Sequence, residues 1–331
     1  MEYRNFGRTG LRVSPLCLGC MNFGGKTDEA ESIKTIHHAL DQGINIVDTA
    51  NVYSRGASEE VTGKAIKQNG KRGRIVLATK VHGRMDDDDP NAAGNSRRHV
   101  MAQCELSLKR LQTDYIDLYQ IHRPQSSIPF DETLRALDDL VRQGKIRYIG
   151  VSTFAAWQVV EALWMAKELG LNRVVSEQPP YHLLDRRIER ELLPMCRTYG
   201  VATLPWSPLA GGFFSGKYRR GQARPEGSRW EKSGNLHFCD AAFDVLETVE
   251  AIAKEKGCSV SQFAIAWVMQ QPGSTSVIIG PRNLEQFEDN LGAMDVTVTR
   301  EDCERIDAVA PPAQMIVPYY YADFGPHEHR W

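Results

Sequence analysis

Two hydrophobic patterns alternate along the chain. Short β-rich strings at 16–19, 44–49, 75–80, 115–122, 146–152, 173–178, 201–207 and 276–280 are separated by longer stretches of helical periodicity. Most strings, such as INIVDT at 44–49 and IVLATK at 75–80, are near-continuous apolar runs. Parallel strands buried on both faces carry that signature. Helices are predicted over 28–42, 58–69, 96–111, 130–143, 155–169 and 187–199, several stopping at glycine. Two more, 244–256 and 259–271, precede the eighth string, so one is an addition; 283–291 and 300–309 follow it. Eight strand–helix alternations predict an α/β protein built as a (β/α)8 TIM barrel; a doubly wound sheet rarely needs so many units. Residues 3–13 read as a hairpin around Arg8-Thr9-Gly10, placed to plug the bottom of the barrel. Long loops are expected at 82–95 and 210–239, with a tail from Pro311 that covers the pocket or stays flexible. One domain over residues 1–331 is expected, since an α/β barrel commonly has this length.

Composition narrows the function classes. Forty Lys and Arg against 42 Asp and Glu give a net charge of −2. That balance supplies neither the basic excess of a nucleic-acid binder nor the attraction needed at an anionic membrane surface. No run approaches the ~18–20 apolar residues of a membrane span. The opening residues MEYRNF lack the apolar core of a signal peptide. Seven scattered cysteines do not suggest a disulfide framework, so the cytoplasm is the expected compartment.

Four local motifs are set aside. Gly25-Lys26-Thr27 resembles the end of a P-loop, but the required first glycine falls on Cys20. No G-x-G-x-x-G follows a strand, so a Rossmann cofactor site is unsupported. Cys17 and Cys20, three apart on a strand, face opposite sides and read as packing. Asp86, Asp87, Asp88 and Asp89 read as a solvated turn before Pro90, and His327-Glu328-His329 as a tail; no metal site is predicted.

Barrel active sites form where strands end at one mouth. The second string ends in Asp48, with Tyr53 five residues later; the third ends in Lys80 and the fourth in His122. Neighbouring strands lie ~4.8 Å apart, so these groups share one arc. An isolated tyrosine titrates near ~10 and is a reluctant acid at neutral pH. An adjacent ammonium stabilises its phenolate, a carboxylate fixes the ammonium, and a histidine hydrogen-bonds a substrate oxygen. Together they form a proton donor for an oxygen gaining negative charge, as carbonyl reduction requires.

With these residues in place, the sequence resembles the aldo-keto reductase superfamily. The stretch from Gly43 through Asp48 and Tyr53 to Gly63 is similar to that family's first signature, and Asp48, Tyr53, Lys80 and His122 match its catalytic tetrad. The resemblance runs from Gly7 to about Asn290, toward the branch of bacterial reductases and potassium-channel β subunits. It implies a nicotinamide dinucleotide bound extended, without a Rossmann fold. Gly19 and Met21 would lie by the nicotinamide with Asp48, Ser152 and Gln178 would hold its carboxamide, and Trp206 would stack on its ring. The residue after Ser152 is Thr153, where the family often has Asn or Arg. Ser207, Leu209 and Gly211 would line the pyrophosphate, clamped by Lys217 and Arg229. Gly280 and Arg282 open a helix whose N-terminus suits an anion; Arg282 and Gln286 would take a 2′-phosphate, and Asp289 and Asn290 the adenine. NADPH/NADP+ is therefore the expected cofactor.

The reading is an NADPH-dependent reductase of aldehydes or ketones, reversible toward alcohols, with a small-molecule substrate and no nucleic-acid or membrane partner; a homo-oligomer is left open. Its substrate pocket is expected to be walled by Phe23, Val52, the loop after His122, part of 210–239 and the tail, whose aromatics Tyr319, Tyr320, Tyr321, Phe324 and Trp331 suit an apolar or ring-bearing substrate and equally suit packing on the body or an oligomer contact. A cofactor-binding regulatory subunit with weak reductase activity is the rival from another class, and a barrel isomerase acting on phosphate-bearing substrates a third.

Overall fold

The computed structural model describes residues 1–226, 228, 230, 231, 238–318 and 320. A hairpin of β1 (Arg4–Asn5) and β2 (Arg12–Val13) precedes eight parallel strands: β3 (Leu16–Gly19), β4 (Ile46–Asp48), β5 (Val76–Val81), β6 (Ile116–Ile121), β7 (Ile146–Ser152), β8 (Val174–Gln178), β9 (Ala202–Thr203) and β10 (Val277–Ile279). Their sheet order is β10-β3-β4-β5-β6-β7-β8-β9. The two ends meet where the Ile278 N–H donates to the Pro205 carbonyl at 2.8 Å and Trp206 bridges Ile278 in parallel. This is the (β/α)8 arrangement.

Helices α1 (Glu29–Asp41), α2 (Ala57–Asn69), α3 (Arg97–Leu111), α4 (Phe130–Arg142), α5 (Ala156–Leu169), α6 (Leu192–Tyr199), α7 (Asp240–Lys256), α8 (Val260–Gln270), α9 (Leu284–Leu291) and α10 (Arg300–Val309) accompany the strands. Their starts follow from side-chain caps. Asp28 accepts from the Glu31 N–H before α1, Ser96 from His99 before α3, and Ser259 from Gln262 before α8. Among the described residues no helix is long and apolar enough to cross a membrane.

Strand parity divides the core. Cys17, Ile46, Ala78, Leu118, Val175, Ala202, Leu204 and Ile278 pack together inside the ring, joined from below by Phe6 and Val13 of the hairpin. Leu16, Leu18, Val47, Leu77 and Tyr119 instead join the larger layer that includes the helices. Cys17 thus lies in the inner cluster and Cys20 in the outer one, and all seven cysteines are free thiols. The hairpin plug is fixed further by Arg4, whose guanidinium donates to the carbonyls of Met269 and Ser274.

Several bounds differ from expectation for identifiable reasons. The helix expected over 187–199 is a 3-10 turn at Arg187–Glu189 followed by α6. Pro194 sits in the first turn of α6, where its ring would clash with the residue-190 carbonyl of a longer helix. The string at 201–207 keeps only two residues of regular strand, because Pro205 has no N–H to donate; pairing resumes at Trp206, which bridges Pro180 and Ile278. Helix α7 begins one turn earlier than its expected start at 244. The acidic run in the 82–95 loop is a turn tied by Arg84 to the Asp86 and Asp89 carbonyls and by Arg98 to the Asp89 carboxylate. Arg229, Tyr319, Tyr321, Phe324, Trp331 and the His327-Glu328-His329 motif lie outside the described residues.

Candidate active site

The strand ends deliver four polar side chains to one mouth. Asp48 closes β4, Lys80 lies in β5, and His122 follows β6; the loop after β4 returns Tyr53 over them through its N–H bond to the Ala50 carbonyl. The two residues after Tyr53, Ser54 and Arg55, have φ of 49° and 51°. Left-handed backbone at non-glycine residues stores strain and clusters at sites where it positions a side chain. Ser207 (φ 61°), Ala210 (φ 49°) and Thr153 (φ 60°) repeat that conformation around the same mouth.

The Lys80 ammonium is completely buried and spends all three protons. It donates to Asp48 Oδ2 at 2.5 Å, to the Thr49 carbonyl at 2.8 Å and to the Tyr53 hydroxyl oxygen at 3.3 Å. Burial works against its charge, but Asp48 and then Tyr53 outweigh it and hold its pKa above the ordinary lysine value. Since Tyr53 accepts from the ammonium, its own O–H is free to turn toward the cavity. Asp48 Oδ1 accepts from both Gln120 and Gln178 amides at 3.0 Å, so neither carboxylate oxygen is unpartnered. The His122 ring meets Tyr53 edge to face, with centroids 5.5 Å apart. Burial, and then the charges of Lys80, Arg123 and His82, push its pKa well below the usual histidine value, so it is neutral at pH 7.

These groups stand at one end of a cavity of about 730 Å3. Asp48, Tyr53, His122, Gln178, Trp206, Gly19 and Met21 line that end; Ser207, Leu209, Gly211, Lys217, Gly280, Arg282, Gln286, Asp289 and Asn290 continue it to the start of α9. Asn22 donates to the Gly280 carbonyl at 3.1 Å and Thr27 to that of Arg282 at 2.8 Å, which ties the loop after β3 to the loop after β10. Gln286 turns back on its own helix, accepting from the Arg282 N–H at 3.0 Å. Lys217 and Arg282 form no ion pair among the described residues. Partial burial, then the charge of Arg282, lowers the Lys217 pKa, so two cations face one another across this end.

Other expectations need correction. Lys80, fully buried, does not line the cavity itself. Ser152 is buried as well, its hydroxyl donating to the Gln178 carbonyl at 2.9 Å, and it does not reach the cavity. Gln178 reaches the cavity, but its amide also serves Asp48 and Gln120. A Cβ on Gly19 would come within 2.6 Å of Ile278 Cγ2, so that glycine is demanded by the neighbouring strand β10. Phe23 is fully buried in the outer core and does not wall the pocket, whereas Val52 does. Lys26, passed over with the P-loop-like motif, lines the cavity. Gln120 and Arg123 escaped the sequence reading. Register pairs Gln120 with Lys80, and that alignment of β5 on β6 was the signal available for it.

Glu177, next to Gln178 on β8, is fully buried. One carboxyl oxygen accepts from the Phe154 N–H at 3.1 Å and the other has no partner among the described residues. Burial pushes its pKa up to about 8 against these hydrogen bonds. A carboxyl with a raised folded pKa stabilises fully below its unfolded value of ~4.5 and loses that contribution as pH climbs toward 8. Glu177→Gln should therefore remove a fall in stability between about pH 5 and 8, a difference on the order of a few kcal/mol at the upper end. Thermal unfolding of both proteins across that window checks it; parallel pH profiles would show Glu177 to be ionised in the fold.

The aldo/keto reductase family model matches residues 15–311. The chain is 41% identical over 330 residues to the Bacillus subtilis (strain 168) protein named "Uncharacterized oxidoreductase YrpG", covering 97% of this chain and 100% of that protein. It is 37% identical over 319 residues to the "Probable voltage-gated potassium channel subunit beta" of Oryza sativa subsp. japonica, covering 93% and 96%. With the "Versiconal hemiacetal acetate reductase" of Aspergillus parasiticus it shares 36% over 343 aligned positions, covering 93% and 96%. An eight-stranded barrel with this mouth, a family model across most of its length and relatives matched nearly end to end lead to one conclusion: the chain belongs to the aldo/keto reductase family.

Proposed function

We propose that the chain reduces aldehydes or ketones to alcohols with NADPH, reversibly, and that residues 1–331 form one barrel domain. The observation that carries this reading is the buried Lys80 ammonium, 2.5 Å from Asp48 and 3.3 Å from the Tyr53 hydroxyl at the cavity floor. When bound, the dinucleotide supplies the hydride from nicotinamide C4. Tyr53 gives its proton to the carbonyl oxygen, and Lys80 stabilises the phenolate left behind. Asp48 keeps Lys80 charged and in place, itself held by Gln120 and Gln178. Neutral His122, beside Tyr53, orients the carbonyl oxygen by a hydrogen bond. In the reverse direction the Tyr53 phenolate takes the alcohol proton. A panel of small aldehydes and ketones, followed by loss of NADPH absorbance, tests the reading; NADPH left unconsumed with every member would reject it.

The remaining cavity residues fit a dinucleotide. Trp206, half-buried at the sheet seam, offers a flat face for the nicotinamide, with Gly19, Met21 and Gln178 beside it. Ser207, Leu209 and Gly211 form the wall next to Lys217 and would line the pyrophosphate; Arg229 is proposed to share that clamp. Asp289 and Asn290 would meet the adenine. Lys217 and Arg282, without an ion pair among the described residues, favour a ligand with an extra phosphate, hence NADPH over NADH. Arg282→Ala should weaken NADPH binding by about 10- to 100-fold, the loss of one charged hydrogen bond, and NADH binding much less. Fluorescence titration with both cofactors checks it; equal losses would remove Arg282 from phosphate recognition.

Seven free thiols suit a reducing compartment, and the cytoplasm is proposed on that ground. A second reading, a cofactor-binding regulatory subunit, is favoured by the likeness to proteins named as channel β subunits. Stable co-purification with a partner, without turnover of any carbonyl, would favour it over the enzyme.

A further inference from the structure

This inference rests on the reductase reading and gives its substrate class. Arg123 directly follows His122 and lines the same cavity as Tyr53 and Trp206. Its Nη1 donates to the His122 carbonyl at 2.9 Å and reaches Thr153 Oγ1 at 3.5 Å. The guanidinium carbon lies 4.6 Å from the centre of the Tyr320 ring, and that ring meets Trp206 edge to face at 5.6 Å. One face of the guanidinium is therefore held on an aromatic, and one of its nitrogens is anchored to the barrel. A guanidinium has five N–H donors in a planar fork. The Nε and Nη2 donors of Arg123 meet no acceptor among the described residues, and none of their carboxylates lies at ion-pair distance. Glu177 feels this charge, and burial, which pushes its pKa up to about 8, keeps it mostly protonated near pH 7. His82 and His122 also face the cation, and its charge helps lower the pKa of each; an imidazole carries no negative charge in either state, so neither offers a counter-charge. Among the described residues, then, a half-buried cation keeps open donors beside the proposed reaction centre.

We propose that Arg123 is a specificity-determining residue that binds a carboxylate of the substrate, so that the chain prefers aldehydes or ketones that are also carboxylic acids. A carboxylate matches the planar fork in two parallel hydrogen bonds, which a lysine cannot reproduce. Contacts with Tyr320 and the His122 carbonyl hold the fork before substrate arrives, reducing the ordering cost of binding. The carboxylate takes no part in bond making; hydride and proton still go to the carbonyl carbon and oxygen.

The test compares 4-carboxybenzaldehyde with its methyl ester, which share ring and formyl group and differ in one charge. Wild-type kcat/KM should favour the acid, by a margin that shrinks as salt is added. In Arg123→Met the acid-to-ester ratio should fall at least about tenfold, chiefly through KM, with Arg123→Lys between the two. No acid preference in the wild type, or a ratio unchanged in Arg123→Met, would overturn the proposal. Turnover of the ester reports the reductase reading by itself. Calorimetric titration with benzoate then tests Arg123 without any turnover. Binding to the wild type that weakens at least about tenfold in Arg123→Met supports the assignment, whereas equal binding, or none to the wild type, rejects it.

Discussion

Tyr53→Phe should lower kcat/KM for every carbonyl substrate by about 10²- to 10⁴-fold, the range a positioned general acid supplies. The ring stays, and with it the edge-to-face contact with His122 at 5.5 Å. NADPH affinity should therefore change little. What is lost is the O–H that Lys80 leaves free by donating to the phenol oxygen. Steady-state kinetics with parallel NADPH titration separates the two quantities. Turnover near the wild-type rate would place the proton donor elsewhere. A loss of cofactor affinity matching the loss of turnover would make Tyr53 a binding residue only.

Lys80→Met should be equally damaging to turnover and also costly to stability. It leaves the Asp48 carboxylate, 3% exposed, with the amides of Gln120 and Gln178 and no countercharge. Breaking a buried ion pair from one side costs about 3–5 kcal/mol. The double variant Asp48→Asn/Lys80→Met removes both charges and should regain most of that stability while regaining no activity. In the proposed mechanism Lys80 and Tyr53 act as a unit, so Tyr53→Phe/Lys80→Met should be little slower than either single variant. The sign with pH also follows. The folded Lys80 pKa is raised, so its stabilisation is fully present below the unfolded value of ~10.4 and is lost only as pH rises through the higher folded value. The stability gap between wild type and Lys80→Met should thus persist through neutral pH and begin to close only above about pH 10. Denaturant midpoints across that range check it; a gap that opens only in alkali would mean the pair is not ionised in the fold.

Much of this architecture is legible in the letters because parallel barrel strands are buried on both faces. Apolar runs such as 146–152 therefore mark their own ends, and β7 spans Ile146–Ser152 as expected. Four residue types that are individually ordinary became informative because topology sends consecutive strand ends to one rim. Side-chain choice among competing partners was not legible. Ser152 and Gln178 carry suitable groups for an amide, yet one hydroxyl is spent on the neighbouring carbonyl and the other side chain is shared with Asp48. Phe23 lies close to the mouth in sequence but packs with the outer core, which has a fully buried place for it. Gln120 has no motif of its own; only the register of β5 on β6 sets it beside Lys80. Arg123 carries no motif of its own beside His122, and the role proposed for it rests on donors that meet no acceptor among the described residues.

The most direct test of the central claim is isotopic. NADPH carrying transferable deuterium at nicotinamide C4 is incubated with the wild-type protein and an aldehyde that it consumes, and the alcohol is examined by NMR. One deuterium on the carbinol carbon for each NADPH consumed is the predicted result. NADPH oxidised without deuterium appearing there would contradict direct reduction of the carbonyl at this mouth.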